Sequence, residues 1–123
     1  MFWNKKEKHQ ALEITDATFN DIIETDQGIL LDFYAEWCGP CKVLSPIVNE
    51  LSEQFSGRAV VGKVNVDTNP KLTAFFKIKS MPTLVFVKHK KLIEQISGLV
   101  PKPNLEEMVE DLIAFEFPAE EEE

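Results

Sequence analysis

Two cysteines and two histidines are all that this chain of 123 residues has of the side chains that most often build disulfides and metal sites. So few cysteines exclude a disulfide-dense secreted scaffold, which needs several bridges in place of a core. They also count against a structural zinc site, which takes four ligands. One C-x2-C pair is present, no second pair follows, and His9 and His89 have no paired ligand spacing. No metal is expected. Basic residues are outnumbered, 13 Lys and Arg against 21 Asp and Glu, for a net charge of −8. Phosphate binding needs clustered cations, so nucleic acid is not expected as a partner. The one small cluster, Lys88, Lys90 and Lys91, reads as a solvated hairpin tip. No run reaches the about 18 apolar residues of a membrane-spanning helix, and no membrane role is expected. Residues 1–10 carry basic side chains with no apolar segment behind them, unlike an intact secretory signal. The expectation is a cytoplasmic protein, or a periplasmic one if a signal has been removed. No nucleotide-binding motif occurs, so no cofactor of the chain's own is expected.

What is present suffices for one domain. Hydrophobic residues make up 44% of the chain and nine are Phe, enough for a sizeable core. The chain is organised around Trp37-Cys38-Gly39-Pro40-Cys41, which holds both cysteines. Residues three apart on a helix are neighbours, so the two sulfurs are within reach of a disulfide. That bond closes a very short loop and restrains the unfolded chain little. It makes a poor staple and a good reversible couple. Pro40 suits a first helical turn, where its missing N–H is no loss, and Gly39 permits a close approach. Cys38 then stands at the helix N-terminus, where free N–H groups and the positive end of the dipole favour a thiolate. Cys41, one turn further in, keeps its proton longer. Cys38 is therefore assigned as the attacking nucleophile and Cys41 as the resolving thiol. An unreactive buried pair, or an intact motif without use, are the plain alternatives.

Around this motif the pattern is α/β. Residues 13–14 open an edge strand, and Thr15 or Asp16 caps a helix with Phe19, Ile22 and Ile23 on its apolar face. Residues 29–34 form a buried central strand broken only by Asp32. A carboxylate in such a run is unfavourable unless paired or protonated. Either it faces outward from a half-buried strand, or it is buried with a raised pKa. Residues 38–55 continue as a helix, with Leu44, Ile47, Val48, Leu51 and Phe55 at helical spacing and Pro46 inside it. Residues 59–66 form a second strand, which makes a βαβ unit and hence a parallel pair with a right-handed crossover. A short helix follows Asn69-Pro70. Residues 83–87 and 92–97 form a hairpin through residues 88–91. Residues 101–115 form a last helix, with Leu105, Met108, Val109, Leu112 and Ile113 inward.

The stretch Ala35-Glu36-Trp37-Cys38-Gly39-Pro40-Cys41-Lys42 resembles the active-site signature of the thioredoxin family, and the resemblance runs over about residues 13–115. It implies a thioredoxin fold, a central mixed β-sheet flanked by helices on both faces. Residues 1–12 would be a loosely attached extension and residues 116–123 an acidic tail. It implies that Asp32 relays the proton of Cys41, that Lys63 approaches Asp32, and that Pro46 kinks its helix. It further implies a cis Met81–Pro82 bond facing the cysteines, with the Met81 backbone pairing to an extended substrate segment. Lys63 as a surface residue, and Pro82 as a plain turn proline, are the alternatives to these. Docking would use an apolar patch of Trp37, Gly39, Pro40, Val66, Met81, Pro82, Gly98 and Leu99. The activity implied is general protein disulfide reduction by a monomer acting on disulfide-containing proteins. A thioredoxin reductase, flavin- and NADPH-dependent or ferredoxin-linked, would re-reduce the pair. Two other readings stay open: an oxidase or isomerase in an oxidising compartment, and a binding subunit that uses the same patch without turnover.

Overall fold

Strand β2 (Gly28–Tyr34) is buried along all but its last residue in a computed structural model of the chain, which describes residues 9–118. The alternation along it decides the layers. Ile29, Leu31 and Phe33 join one core cluster with Phe19, Leu72 and Phe76. Leu30 joins a second with Leu44, Val48, Leu51, Leu105 and Val109. Successive side chains of a strand point to opposite faces, so a strand covered on both sides reads as one continuous apolar run.

The other elements are β1 (Leu12–Glu13), α1 (Phe19–Ile22), α2 (Gly39–Gln54), β3 (Ala59–Asn65), α3 (Pro70–Phe75), β4 (Thr83–Lys88), β5 (Lys91–Ser97) and α4 (Lys102–Ala114). The sheet order is β1-β3-β2-β4-β5. Strands β1, β3 and β2 run parallel, while β4 and β5 run antiparallel to their neighbours. Helices α2 and α4 cover one face, α1 and α3 the other. This is the thioredoxin fold, a mixed sheet between helices. Among the described residues no helix is long and apolar enough to cross a membrane.

Three local expectations need correction. The extension expected to run through Leu12 joins the body earlier: Ala11 is buried, its N–H donates to Asn49 Oδ1 at 2.8 Å, and Leu12 pairs with Gly62. Phe2, Trp3 and residues 119–123 of the acidic tail lie outside the described residues. Neither Thr15 nor Asp16 caps α1 directly. Thr15 and Thr18 exchange hydrogen bonds in the turn before it. The Asp16 carboxylate instead accepts from the Lys71 and Leu72 N–H groups of α3 at 3.1 and 2.9 Å, while Asn69 Oδ1 accepts from the Asp16 N–H at 2.8 Å. Asp16 therefore caps a helix far along the chain, by the same physics as a local cap.

Lys88 is not part of a solvated tip. It ends β4, is buried, and donates to the Leu112, Ile113 and Phe115 carbonyls at 2.9, 2.8 and 2.8 Å. The last carbonyls of a helix lack internal partners and carry the negative end of its dipole, which the ammonium satisfies. The true tip is His89-Lys90, both with positive φ, 52° and 64°, as a two-residue type I′ hairpin demands.

Candidate active site

The site grows from the end of β2 and the start of α2. Cys38 is the N-cap residue of α2, extended at φ −93° and ψ 117°, with Pro40 in the first turn. Its sulfur accepts from the Cys41 N–H at 3.2 Å, one of the free donors of a helix start. Cys38 and Cys41 are joined by a disulfide, with their Cα atoms 5.3 Å apart. Cys38 is 6% exposed and Cys41 2%, so Cys38 is the more accessible sulfur. It lies 3.7 Å from the Met81 carbonyl oxygen. The Met81–Pro82 bond is cis, and the Pro82 carbonyl accepts from the Gly98 N–H at 2.8 Å. Val66 and Met81, both partly buried, pack beside the cysteines.

Trp37, next to Cys38, is 67% exposed, and its indole N–H donates to Asp67 Oδ2 at 2.9 Å. Gly39 and Pro40 are exposed. A Cβ on Gly39 would meet nothing within 4 Å, so the fold itself does not demand glycine there. Gly98 has φ +97°, a conformation glycine adopts freely. Leu99 is exposed. Along the chain, Trp37, Gly39 and Pro40 lie at the β2–α2 turn, Val66 just past the end of β3, Met81 and Pro82 just before β4, and Gly98 and Leu99 just after β5.

Asp32 is fully buried, on the face of β2 shared with Leu30, toward α2. Neither of its carboxylate oxygens has a hydrogen-bond partner among the described residues. Burial pushes its carboxyl up from 3.8 to about 7, with Lys63 pulling down and Glu13 adding a smaller push upward. Lys63 stands opposite Asp32 in the parallel β2–β3 register, and it too is buried. The expected approach of Lys63 to Asp32 is present as a facing pair. It is not a hydrogen-bonded one. The Lys63 ammonium bonds instead to Ser45 Oγ and lies 5.2 Å from the Tyr34 ring centroid. The Tyr34 hydroxyl donates to both Glu13 oxygens, at 3.1 and 2.9 Å, and its phenol is held protonated well above the usual range by burial and by that carboxylate.

Sequence reasoning missed Ser45, Tyr34, Glu13 and Asp67. One signal existed for Ser45: it follows Cys41 by four residues on a helix, which puts both on one side. No sequence signal pairs Trp37 with Asp67. Among the described residues, no cluster of three His, Cys, Asp or Glu side chains could hold a metal ion.

The family model "Thioredoxin" matches residues 10–111. The chain belongs to the thioredoxin family. It is 36% identical over 102 residues to a thioredoxin of Chlorobaculum thiosulfatiphilum, covering 82% of this chain and 94% of the relative. It is 39% identical over 101 residues to thioredoxin 1 of a Nostoc species, covering 81% and 94%. A thioredoxin of Alicyclobacillus acidocaldarius is 39% identical over 103 residues, covering 84% and 98%. With its Cys-Gly-Pro-Cys pair bonded at the N-terminus of α2, this thioredoxin-family chain is a thiol–disulfide oxidoreductase, a dithiol–disulfide reductase of proteins.

Proposed function

We propose that the reduced protein attacks substrate disulfides through Cys38 and resolves the product through Cys41, with Asp32 as proton acceptor. The observation that carries this is the inequality of the two sulfurs: Cys38 caps the helix and faces Met81, while Cys41 lies deeper. Positive helix-end charge favours the Cys38 thiolate. The thiolate attacks one sulfur of the substrate, forming a mixed disulfide, and the other substrate sulfur leaves as a thiolate that takes a proton from solvent. Cys41 then gives its proton to Asp32, directly or through water, and attacks Cys38 Sγ. The mixed disulfide breaks, the second substrate sulfur leaves, and Cys38–Cys41 is oxidised. Two electrons have passed to the substrate. A carboxyl whose proton affinity lies near neutrality suits this acceptor role.

The substrate backbone would run along Met81 as an added strand segment, over a patch of Trp37, Gly39, Pro40, Val66, Pro82, Gly98 and Leu99. Few charges there favour many partners over one. Family membership supports a thioredoxin reductase as the source of electrons and the cytoplasm as the place of action. We take the working unit to be a monomer, with neither nucleic acid nor membrane among its partners.

The test is capture. Cys41→Ser should accumulate a mixed disulfide through Cys38 with a disulfide-bonded protein, and Cys38→Ser should form none. A mixed disulfide through Cys41 in the Cys38→Ser variant, at a comparable rate, would reverse the assignment.

A further inference from the structure

We propose that Ser45 is a positioning residue for this exchange: its hydroxyl holds the Lys63 ammonium away from the Asp32 carboxylate. The consequence for catalysis rests on the reading of Asp32 as proton acceptor; the placement itself does not.

The β2–β3 register puts Asp32 and Lys63 side by side on the sheet face covered by α2. Two buried groups of opposite charge so placed would be expected to pair. Yet both Asp32 oxygens lack a hydrogen-bond partner among the described residues, and the ammonium is occupied elsewhere. It is bonded to Ser45 Oγ and lies over the Tyr34 ring, which Glu13 holds by its hydroxyl. A lysine stem is long and flexible, so the choice between Asp32 and Ser45 is a choice of rotamer. The Ser45 side chain tips it. Ser45 follows Cys41 by one helical turn, and a cleft of about 180 Å³ is lined by Cys41, Ser45, Lys63 and Tyr34. That cleft gives the ammonium a polar place to sit away from the carboxylate.

The charged and titratable groups around Asp32 come from three other sides. Lys63 stands beside it from β3 and Glu13 acts on it from β1, and on α2 the Cys41 sulfur, a thiol in the reduced protein, lines the cleft that Lys63 also lines. Glu36 and Lys42 stand at the exposed rim of the cleft. From β4 the opposing residue is the apolar Leu84. Lys63 is the cation among them that draws Asp32 toward its charged form, and Glu13 opposes it. A direct ion pair would strengthen that draw, because an opposite charge in contact favours an ionised carboxyl. Held by Ser45, the ammonium acts at a distance, and Asp32 keeps a high affinity for the proton that Cys41 must lose.

The experiment is a carbon-13 NMR titration of the Asp32 carboxyl in the disulfide form of the full chain. Ser45→Ala should lower the Asp32 midpoint by about one pH unit, as expected when a nearby opposite charge moves into contact. Ser45→Thr, which keeps the hydroxyl, should restore the parental midpoint. In a Lys63→Met background, Ser45→Ala should move nothing. An unmoved midpoint in folded Ser45→Ala overturns the proposal, and so does a shift that persists without Lys63. The proton-acceptor reading is tested apart from this, by the rate at which Cys41 resolves a mixed disulfide in Asp32→Asn. An unchanged rate there would overturn that reading, while the Ser45 titration still decides the positioning role.

Discussion

Asp32 and Lys63 face each other across the β2–β3 ladder, and the lysine gives its hydrogen bond to Ser45 instead. A buried carboxyl with no hydrogen-bond partner among the described residues has a consequence for stability. Its proton affinity rises from 3.8 unfolded to about 7 folded, so the folded state binds more protons than the unfolded state between those values. Stability therefore falls as pH rises through this window. A shift of that size corresponds to a penalty on the order of 4 kcal/mol above pH 7. Asp32→Asn, which is neutral at every pH, should make the oxidised protein more stable than the parent at pH 8. The gain should shrink toward pH 4, where the parent's carboxyl is also neutral. Urea denaturation at pH 4, 6 and 8 reads this out, and a difference independent of pH would refute it.

Lys88 binds the end of α4 to the end of β4 through three carbonyls. Hydrogen bonds from a charged donor contribute about 1.5–3 kcal/mol each at most, and less when they share one donor. Lys88→Met keeps the apolar stem and removes the ammonium. We expect a loss of roughly 2–4 kcal/mol, because the part-buried Ile113 and Phe115 carbonyls lose their charged donor and the Leu112 carbonyl keeps only the Phe115 N–H. Faster amide hydrogen exchange in the last turn of α4 should accompany it. A loss below about 0.5 kcal/mol, the range of ordinary surface substitutions, would mean that water replaces the lysine there.

Lys88 also shows where sequence reading stops. The redox pair is contiguous in sequence, so its spacing and helix position could be read from Trp37-Cys38-Gly39-Pro40-Cys41 alone. Asp32 stood out as the one charge in an apolar run, and the βαβ unit followed from period and length. Lys88 and Asp16 looked like ordinary polar residues beside a turn and a helix start. Their partners lie 24 and 56 residues away along the chain, and only the completed topology brings them together. Lys63 falls between these cases. Strand register places it beside Asp32, but the bond it makes depends on a serine hydroxyl on another element.

The hairpin tip carries strain that can be relieved. Lys90 has φ 64°, a left-handed conformation that costs a non-glycine residue about 1–2 kcal/mol. Its only ion pair, to Glu24 at 3.1 Å among the described residues, joins side chains 57% and 66% exposed, and such pairs contribute little. Lys90→Gly should therefore stabilise the protein by about 0.5–1 kcal/mol. The comparison should be made at high salt, where the lost pair counts least. Lower stability of Lys90→Gly under those conditions would show that the Lys90 side chain does more than pair with Glu24.

Trp37 is exposed yet held, because its indole N–H is bound to Asp67 across the gap between α2 and the end of β3. An exposed ring free to turn must be immobilised when a protein substrate docks on it. That step costs about 0.5–1.5 kcal/mol per side chain, or roughly two- to tenfold in affinity. Asp67 meets this cost in advance. Asp67→Ala should raise KM for a disulfide-bonded protein by that factor and leave kcat unchanged, the signature of binding lost equally from ground and transition states. Stability should stay within about 0.5 kcal/mol, since the substitution is on the surface. A small aromatic disulfide, too short to reach across Trp37, is the control. Equal losses on both substrates would mean that Asp67 acts on the cysteines themselves and not on the docking surface.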